Sequence, residues 1–394
     1  MSDTPRLKRR TALRTIGLGA TAQLGIGLVA GDTAEGEQRL EIDDINEEVR
    51  KAWQSTVRRH GEVVDTEYAA IGPTNVAHSS KRLASVAKAN RDDGRSMMIQ
   101  RLEFEDGYTA EVTTAMDRDG STFLKKINDQ RFKTILSSDD VGSLKQNQRE
   151  KVVAHSERDA DFAASANPSQ NQVADLSKKS TLSTASSHYD YSATEADDGD
   201  SDQDCPGPCW VQGINWATDV DEDDNRCGVT VTDAAVSIEA DAYAEVYTLV
   251  DNDMKTGNFD ITFDGYTAGT VSSLGMAAGT DFLGFVRNVD KDTQDSIHLG
   301  TLSSDWYDAV DIIDEQWGPG DGAGPGDDAP YTDYEFTTEL IEGDTYAFGI
   351  RMAVDLANLS LPGAITINFT DTSNPLDKGF GMSYNVIGAD YSGN

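Results

Sequence analysis

The spacing of hydrophobic positions changes along the chain. From Glu41 to Gly61 the apolar residues Ile42, Ile45, Val49, Ala52, Trp53 and Val57 recur at intervals of three and four, which predicts an amphipathic helix stopped by Gly61. A weaker helix pattern covers about Ser80 to Asn90. Arg95 to Ile127 reads as strands broken at Asp106-Gly107 and Asp119-Gly120, where Asp-Gly flanked by Leu102, Phe104, Val112 and Met116 is a hairpin signal. A polar helix over about Gly142 to Ala164 completes a small α+β N-terminal domain, expected to span 32–164.

Residues 165–204 change character: Ser, Asp, Asn, Gln and Thr dominate, large aliphatic residues nearly vanish, and a disordered linker is predicted. Beyond it the period becomes two. Ala234, Val236, Ile238, Ala240, Ala242, Ala244, Val246 and Val250 alternate with Asp233, Ser237, Glu239, Asp241, Tyr243 and Glu245, and the alternation returns at Tyr346 to Val354 and at Ile365, Ile367 and Phe369. Shorter strands are expected at Phe259 to Phe263, Phe282 to Val289, Ile297 to Leu302, Tyr334 to Leu340 and Met382 to Ile387. So many antiparallel strands in 205–394 predict an all-β sandwich, jelly-roll-like, interrupted by one short helix at Ser303 to Trp317 where Trp306, Val310 and Ile313 share a face.

Charge adds location to this plan. The 394 residues carry 33 Lys+Arg and 69 Asp+Glu, a net charge of −36, which excludes a nucleic-acid binder working through a basic surface. Residues 1–180 hold 27 basic and 28 acidic residues, leaving 6 and 41 for 181–394. The acidic half repels itself in dilute salt and suits brine, where charges are screened within about 3 Å at 1 M. Its composition resembles that of secreted proteins of extremely halophilic archaea. At the other end, Lys8-Arg9-Arg10-Thr11-Ala12-Leu13-Arg14 precedes an uncharged, Gly-rich run from Thr15 to Ala30. Arg9 and Arg10 in this setting resemble a twin-arginine export signal over 1–31, with Ala12 where that pattern more often has Phe. The run is too short and glycine-rich for a spanning helix, and no integral membrane span is expected in the mature chain. The resemblance implies an extracellular protein, released or loosely held at the cell surface.

Several groups could carry chemistry. Glu239, Asp241 and Glu245 share one strand face, and sandwich glycosidases place their acid and nucleophile similarly. Glu239 and Asp241 would be ~7 Å apart and Glu245 a further ~13 Å away, and no signal marks either of the first two as a raised-pKa acid. Tyr243 and Tyr247 on that face keep a sugar-binding surface open. Asp219, Asp221 and Asp223 resemble the start of a calcium loop, but Asp224 and Thr230 stand where an EF-hand needs Gly and Glu. No cofactor is expected other than calcium held loosely there or at Asp290-Lys-Asp292. Cys205, Cys209 and Cys227 leave one disulfide of unassigned pairing in an exported chain, with a zinc site including His188 as the sharper alternative. Asn358 and Asn368 head Asn-x-Ser/Thr acceptors for glycosylation, and Asn368 is expected to point outward.

The first functional expectation is a non-catalytic binding or adhesion protein whose sandwich meets a cell-surface protein or polysaccharide. An extracellular glycosidase-like hydrolase is the second. The third is a secreted antimicrobial or toxin precursor with 32–180 as pro-segment, similar in layout to halocin precursors but without the Cys-dense tail of the peptide type.

Overall fold

The computed structural model describes residues 42–91, 94–147, 150, 190–204, 214–233, 240–253, 255–291, 293–303, 311–318, 334–357, 363–370 and 380–393. Helix α1, Ile42–His60, places Ile45, Val49, Trp53 and Val57 four residues apart on one buried stripe, and Gly61 N–H closes the helix on the Val57 carbonyl. Helix α2, Lys81–Asn90, is capped by Ser80, whose hydroxyl accepts from Leu83 N–H. Six antiparallel strands accompany them: β1 Val63–Ile71, β2 Val76–His78, β3 Ser96–Phe104, β4 Thr109–Met116, β5 Thr122–Ile127 and β6 Gln130–Ile135, in the order β2-β1-β3-β4-β5-β6. Both Asp-Gly pairs sit in the expected turns, with φ of 81° at Gly107 and 77° at Gly120. The β5–β6 turn, unsignalled by glycine, holds Asn128 and Asp129 at positive φ. Residues 138–147 are helical, so the last predicted helix starts earlier, and its portion beyond 150 lies outside the described residues.

One face of this sheet serves two partners. Leu102, Phe104, Ala110, Val112, Ile127 and Phe132 pack under α1, whereas Tyr68, Ala70, Met98, Met116 and Phe123, further along the same face, meet Leu274 and Ala364 of the C-terminal half. The opposite face takes α2 through Ala69, Ile71, Met97, Ile99 and Ala115. The contact with the C-terminal half is as much polar as apolar. Tyr68 hydroxyl lies 2.9 Å from Thr270 Oγ1, Gln100 donates to Ile365 O and Thr366 Oγ1 at 3.3 Å, and buried Lys125 donates to Gly363 O. Arg39–Asn394 forms one compact unit.

The C-terminal half is two antiparallel sheets over one core. The larger joins β7 Tyr191–Ala193, β9 Ile214–Asp221, β10 Arg226–Asp233, β12 Gly257–Leu274, β15 Asp311–Trp317, β16 Glu335–Leu340, β18 Ala364–Asn368 and β19 Gly381–Gly393. Strand β12 is its axis, pairing β16 then β15 along one edge and β19 then β18 along the other. The smaller has β8 Asp198–Asp204, β11 Ala240–Asp251, β13 Ala277–Asn288, β14 Thr293–Ser303 and β17 Thr345–Ala357, ordered β14-β13-β17-β11-β8. Val229, Val231, Phe259, Ile261, Phe263, Ile365 and Ile367 from one sheet meet Ala242, Ala244, Val246, Phe282, Phe348, Ile350 and Met352 from the other. The period-two pattern therefore orients the strands as expected.

Two expectations change. Residues 190–204 belong to both sheets as β7 and β8 rather than to a linker; the rest of 165–189 lies outside the described residues. Sequence Asp-Gly-Asp-Ser-Asp-Gln-Asp has little strand propensity. It is held because Asp198, Asp200 and Asp202 each accept from the next residue's N–H at 2.8–2.9 Å while the strand pairs with β11. Likewise 311–317 is a strand, not the end of a helix; Ile313 and Trp317 both face inward, and Trp317 Nε1 donates to Thr267 Oγ1 at 3.1 Å. Residues 304–310 lie outside the described set. Among the described residues no helix is long and apolar enough to cross a membrane.

Gly284 tests the fit between the sheets, because a Cβ there would come within 2.8 Å of the Phe263 ring, which is fully buried. Gly284→Ala should cost about 1–3 kcal/mol as Phe263 is forced to move, read as a lower midpoint in denaturant titration; an unchanged midpoint would refute this packing.

Candidate functional site

The outer face of the five-stranded sheet holds the acids singled out in β11. Register runs Asp200, Glu245, Arg351, Leu283 and His298 across the strands, and beside it Asp198, Tyr247, Gly349, Phe285 and Ser296. Glu245 is not a solvent-facing acid: it is 2% exposed and clasped by two buried arginines. Its Oε1 accepts from Arg287 Nη1 and Nη2 at 3.2 and 3.1 Å, and its Oε2 from Arg287 Nη2 at 3.1 Å, Arg351 Nε at 2.7 Å and Arg351 Nη2. Aromatic rings support the guanidinium groups, Arg287 lying 4.8 Å from the Phe285 centroid and Arg351 4.7 Å from that of Tyr243. A carboxylate committed to five contacts from four such donors has no lone pair free for nucleophilic attack or proton transfer.

Tyr243 and Tyr247 donate to Asp200 and Asp198 at 3.2 and 3.4 Å. Burial, then the neighbouring carboxylates, pushes both hydroxyls above the ordinary tyrosine range. Asp241 is half-buried and stands in register with Asp204 and Asp355, while Glu239 lies outside the described residues. The sequence reading passed over Arg287 and Arg351. Their signal was present: arginine is rare after residue 180, and both interrupt apolar runs, Phe285-Val286-Arg287 and Ile350-Arg351-Met352.

The remaining candidates are dispersed. Asp219 and Asp221 both accept from Arg226 Nη2, at 3.1 and 3.0 Å, as the end of strand β9 in a β9–β10 hairpin; Asp223 is exposed in the turn. The cation beside the first two is thus an arginine of the next strand. Among the described residues no group of three or more His, Cys, Asp or Glu is placed to hold a metal. Cys227 is a free thiol, fully buried between the sheets, its Sγ 3.8 Å from Ile350 O, so it takes no part in the expected disulfide. Cys205, Cys209 and His188 lie outside the described residues. Asn368 also differs from expectation. It does turn away from the core, but β18 lies between β10 and β12, and the side chain is 6% exposed and accepts from Thr230 Oγ1, so the fold occludes the acceptor nitrogen. Asn358 lies outside the described residues, as do Arg9 and Arg10.

A concave site lies elsewhere, beside α1. A cleft of about 770 Å³ is bounded by Lys51, Ser55, Arg59 and His60 of the helix, by Asn128, Gln130 and Arg131 of the β5–β6 hairpin and by Tyr108. His60 and Tyr108 stack at 3.7 Å between centroids, and His60 Nδ1 is 2.9 Å from Asp106.

No protein-family model matches the chain, and no curated protein matches it. Among solved structures it is similar to one described as the structural basis for the promiscuous specificity of carbohydrate-binding modules from the β-sandwich superfamily, with 6% identity, 82% of this chain and 86% of that chain covered, and a TM-score of 0.15. At that score the likeness carries no argument.

Glu245→Ala would leave two buried guanidinium groups facing each other and should destabilise the fold by about 3–5 kcal/mol; a loss under about 1 kcal/mol in denaturant titration would contradict the clasp. Burial pushes the Cys227 thiol from 9.0 up to about 12. Above pH 9 the unfolded thiol therefore loses its proton while the folded one keeps it, and stability falls as pH rises, by up to about 1.4 kcal/mol per unit for this group. Cys227→Val should flatten the fall between pH 9 and 10, before the buried tyrosines add to it, and Cys227 in the native protein should resist thiol alkylation.

Proposed function

We propose that this is an exported, non-catalytic binding or adhesion protein of a salt-rich environment, acting outside the cell or loosely at its surface on a polysaccharide or cell-surface protein. The observation that carries the reading is the placement of the scarce cations. Of the six Lys+Arg after residue 180, the three arginines are buried, Arg226 at 6%, Arg287 at 2% and Arg351 at 1% exposure. Among the described residues of the sandwich only Lys255 and Lys291 present positive charge to solvent, so its exterior is carboxylate. Such a surface stays solvated in brine and repels itself in dilute salt. The locked state of Glu245 supports the non-catalytic side of the reading, which assigns no cofactor.

The precursor reading keeps one specific support. The larger sheet meets the N-terminal sheet through Thr270, Ser272 and Thr366, with Leu274 and Ala364 the apolar contacts, a surface that stays compatible with water if uncovered. Cleavage would have to fall before Asp190, since β7 pairs with β19 and Asp190 N–H donates to Asp390 at 3.0 Å.

Purified protein should hold its fold above about 1 M salt, where the screening length is about 3 Å, and lose it on dialysis to dilute buffer; equal melting temperatures in both would refute the brine reading. Polysaccharide should be retained but not cleaved in high salt. Hydrolysis that Asp241→Asn abolishes would replace binding by catalysis. N-terminal sequencing of protein from culture medium should give a start near Asp32, whereas a start between 165 and 190 would establish the precursor.

A further inference from the structure

We infer that the cleft beside α1 binds an acidic saccharide, holding its carboxylate or sulfate groups between Arg59 and Arg131; the saccharide class rests on the polysaccharide reading above. The basic side chains lining the cleft are unequal in their commitments. Lys51 already pairs with Glu47 at 3.1 Å, and His60 with Asp106. Arg59 and Arg131 are exposed and, among the described residues, have no carboxylate partner, in a chain carrying 36 more acids than bases. Solvent-facing cations near the end of a helix are favoured by its dipole, which accounts for part of Arg58 and Arg59. It does not account for Arg131, which comes from a different element and lines the same cleft.

The other lining groups select what the anion is attached to. Asn128 and Gln130 offer amides that both donate and accept, as sugar hydroxyls require. Asn128 is fixed by donating to Thr56 Oγ1 and by receiving Tyr108 hydroxyl at 3.4 Å. The Tyr108 ring, 36% exposed, is held in plane by the His60 stack and gives one flat surface for a pyranose. Glu48 is the one carboxylate among the lining residues, about three helical turns before Arg59 on α1. The cleft continues along α1 into a second hollow of about 430 Å³ lined by Lys51, Gln54, Ser55, Arg58 and Arg59, so an extended chain rather than a single sugar fits the surface.

The test is titration calorimetry of the full chain with oligogalacturonate, dextran sulfate, dextran and a single-stranded DNA oligomer, at the lowest salt that keeps the fold. An acidic saccharide should bind and dextran should not. The double variant Arg59→Gln/Arg131→Gln should bind it at least about tenfold more weakly, through loss of charge-assisted hydrogen bonds. Arg82→Gln, an exposed cation on α2, should leave binding unchanged, and all three proteins should share one melting temperature. Equal affinity of the double variant and the parent would overturn the site while leaving a polysaccharide partner in place. So would binding of dextran alone. Tighter binding of DNA than of any saccharide would overturn the ligand class, and no binding to any saccharide would remove this inference and the polysaccharide reading together.

Discussion

In a sheet with many carboxylates and few cations, a buried acid is costly unless one of those cations goes with it. Placing an ionised carboxylate at low exposure costs several kcal/mol unless paired, and the sandwich meets this at Glu245 with two arginines from two different strands. The rest of that face follows from the arrangement. Phe285 and Tyr243 form the floor for the guanidinium groups, Gly349 leaves room for the Phe285 ring, and Tyr247 reaches past to Asp198. The hydrogen bonds tie β11 to β13 and β17, so the centre of the sheet is fixed by directional contacts on its outer side and by close-packed apolar side chains on its inner side.

The contact between the N-terminal sheet and the sandwich works differently. Under α1 the sheet presents Leu102, Phe104 and Ile127; toward the sandwich the same face presents Gln100, Thr114 and Lys125 among its apolar residues. Hydrophobic burial is non-directional, whereas a buried amide or ammonium must find its partner. Gln100 and Lys125 find backbone carbonyls at Ile365 and Gly363, which fixes how the sheet lies across β18 and β12. Specific orientation thus comes from few polar groups and adhesion from a modest apolar patch.

What the sequence revealed was what local spacing encodes. Ile45, Val49, Trp53 and Val57 define α1, the two Asp-Gly pairs define hairpins, and Ala242, Ala244 and Val246 define the inner side of β11. What it withheld depends on residues far apart. Alternation says on which side Glu245 lies but not that arginines 42 and 106 positions away close over it. Asn368 likewise turns away from the core, yet neighbouring strands decide its exposure, and Cys227 reads as a disulfide partner until the second sheet is seen to enclose it. In 303–317 the helical spacing of Trp306, Val310 and Ile313 competes with pairing to β12, and in 311–317 the pairing prevails. The α1 cleft combines three elements distant in sequence, and none of its residues forms a recognisable pattern alone.

Strand β8 ends the five-stranded sheet, and its alternate amides at Gly199, Ser201 and Gln203 are occupied by the preceding aspartates. An open strand edge invites another chain to pair with it. Net charge ordinarily discourages such pairing, but concentrated salt removes that protection by shortening the reach of repulsion. A hydrogen bond made by a strand's own side chain has no such dependence on range. The aspartates of β8 therefore keep alternate amides of this edge occupied whatever the ionic strength.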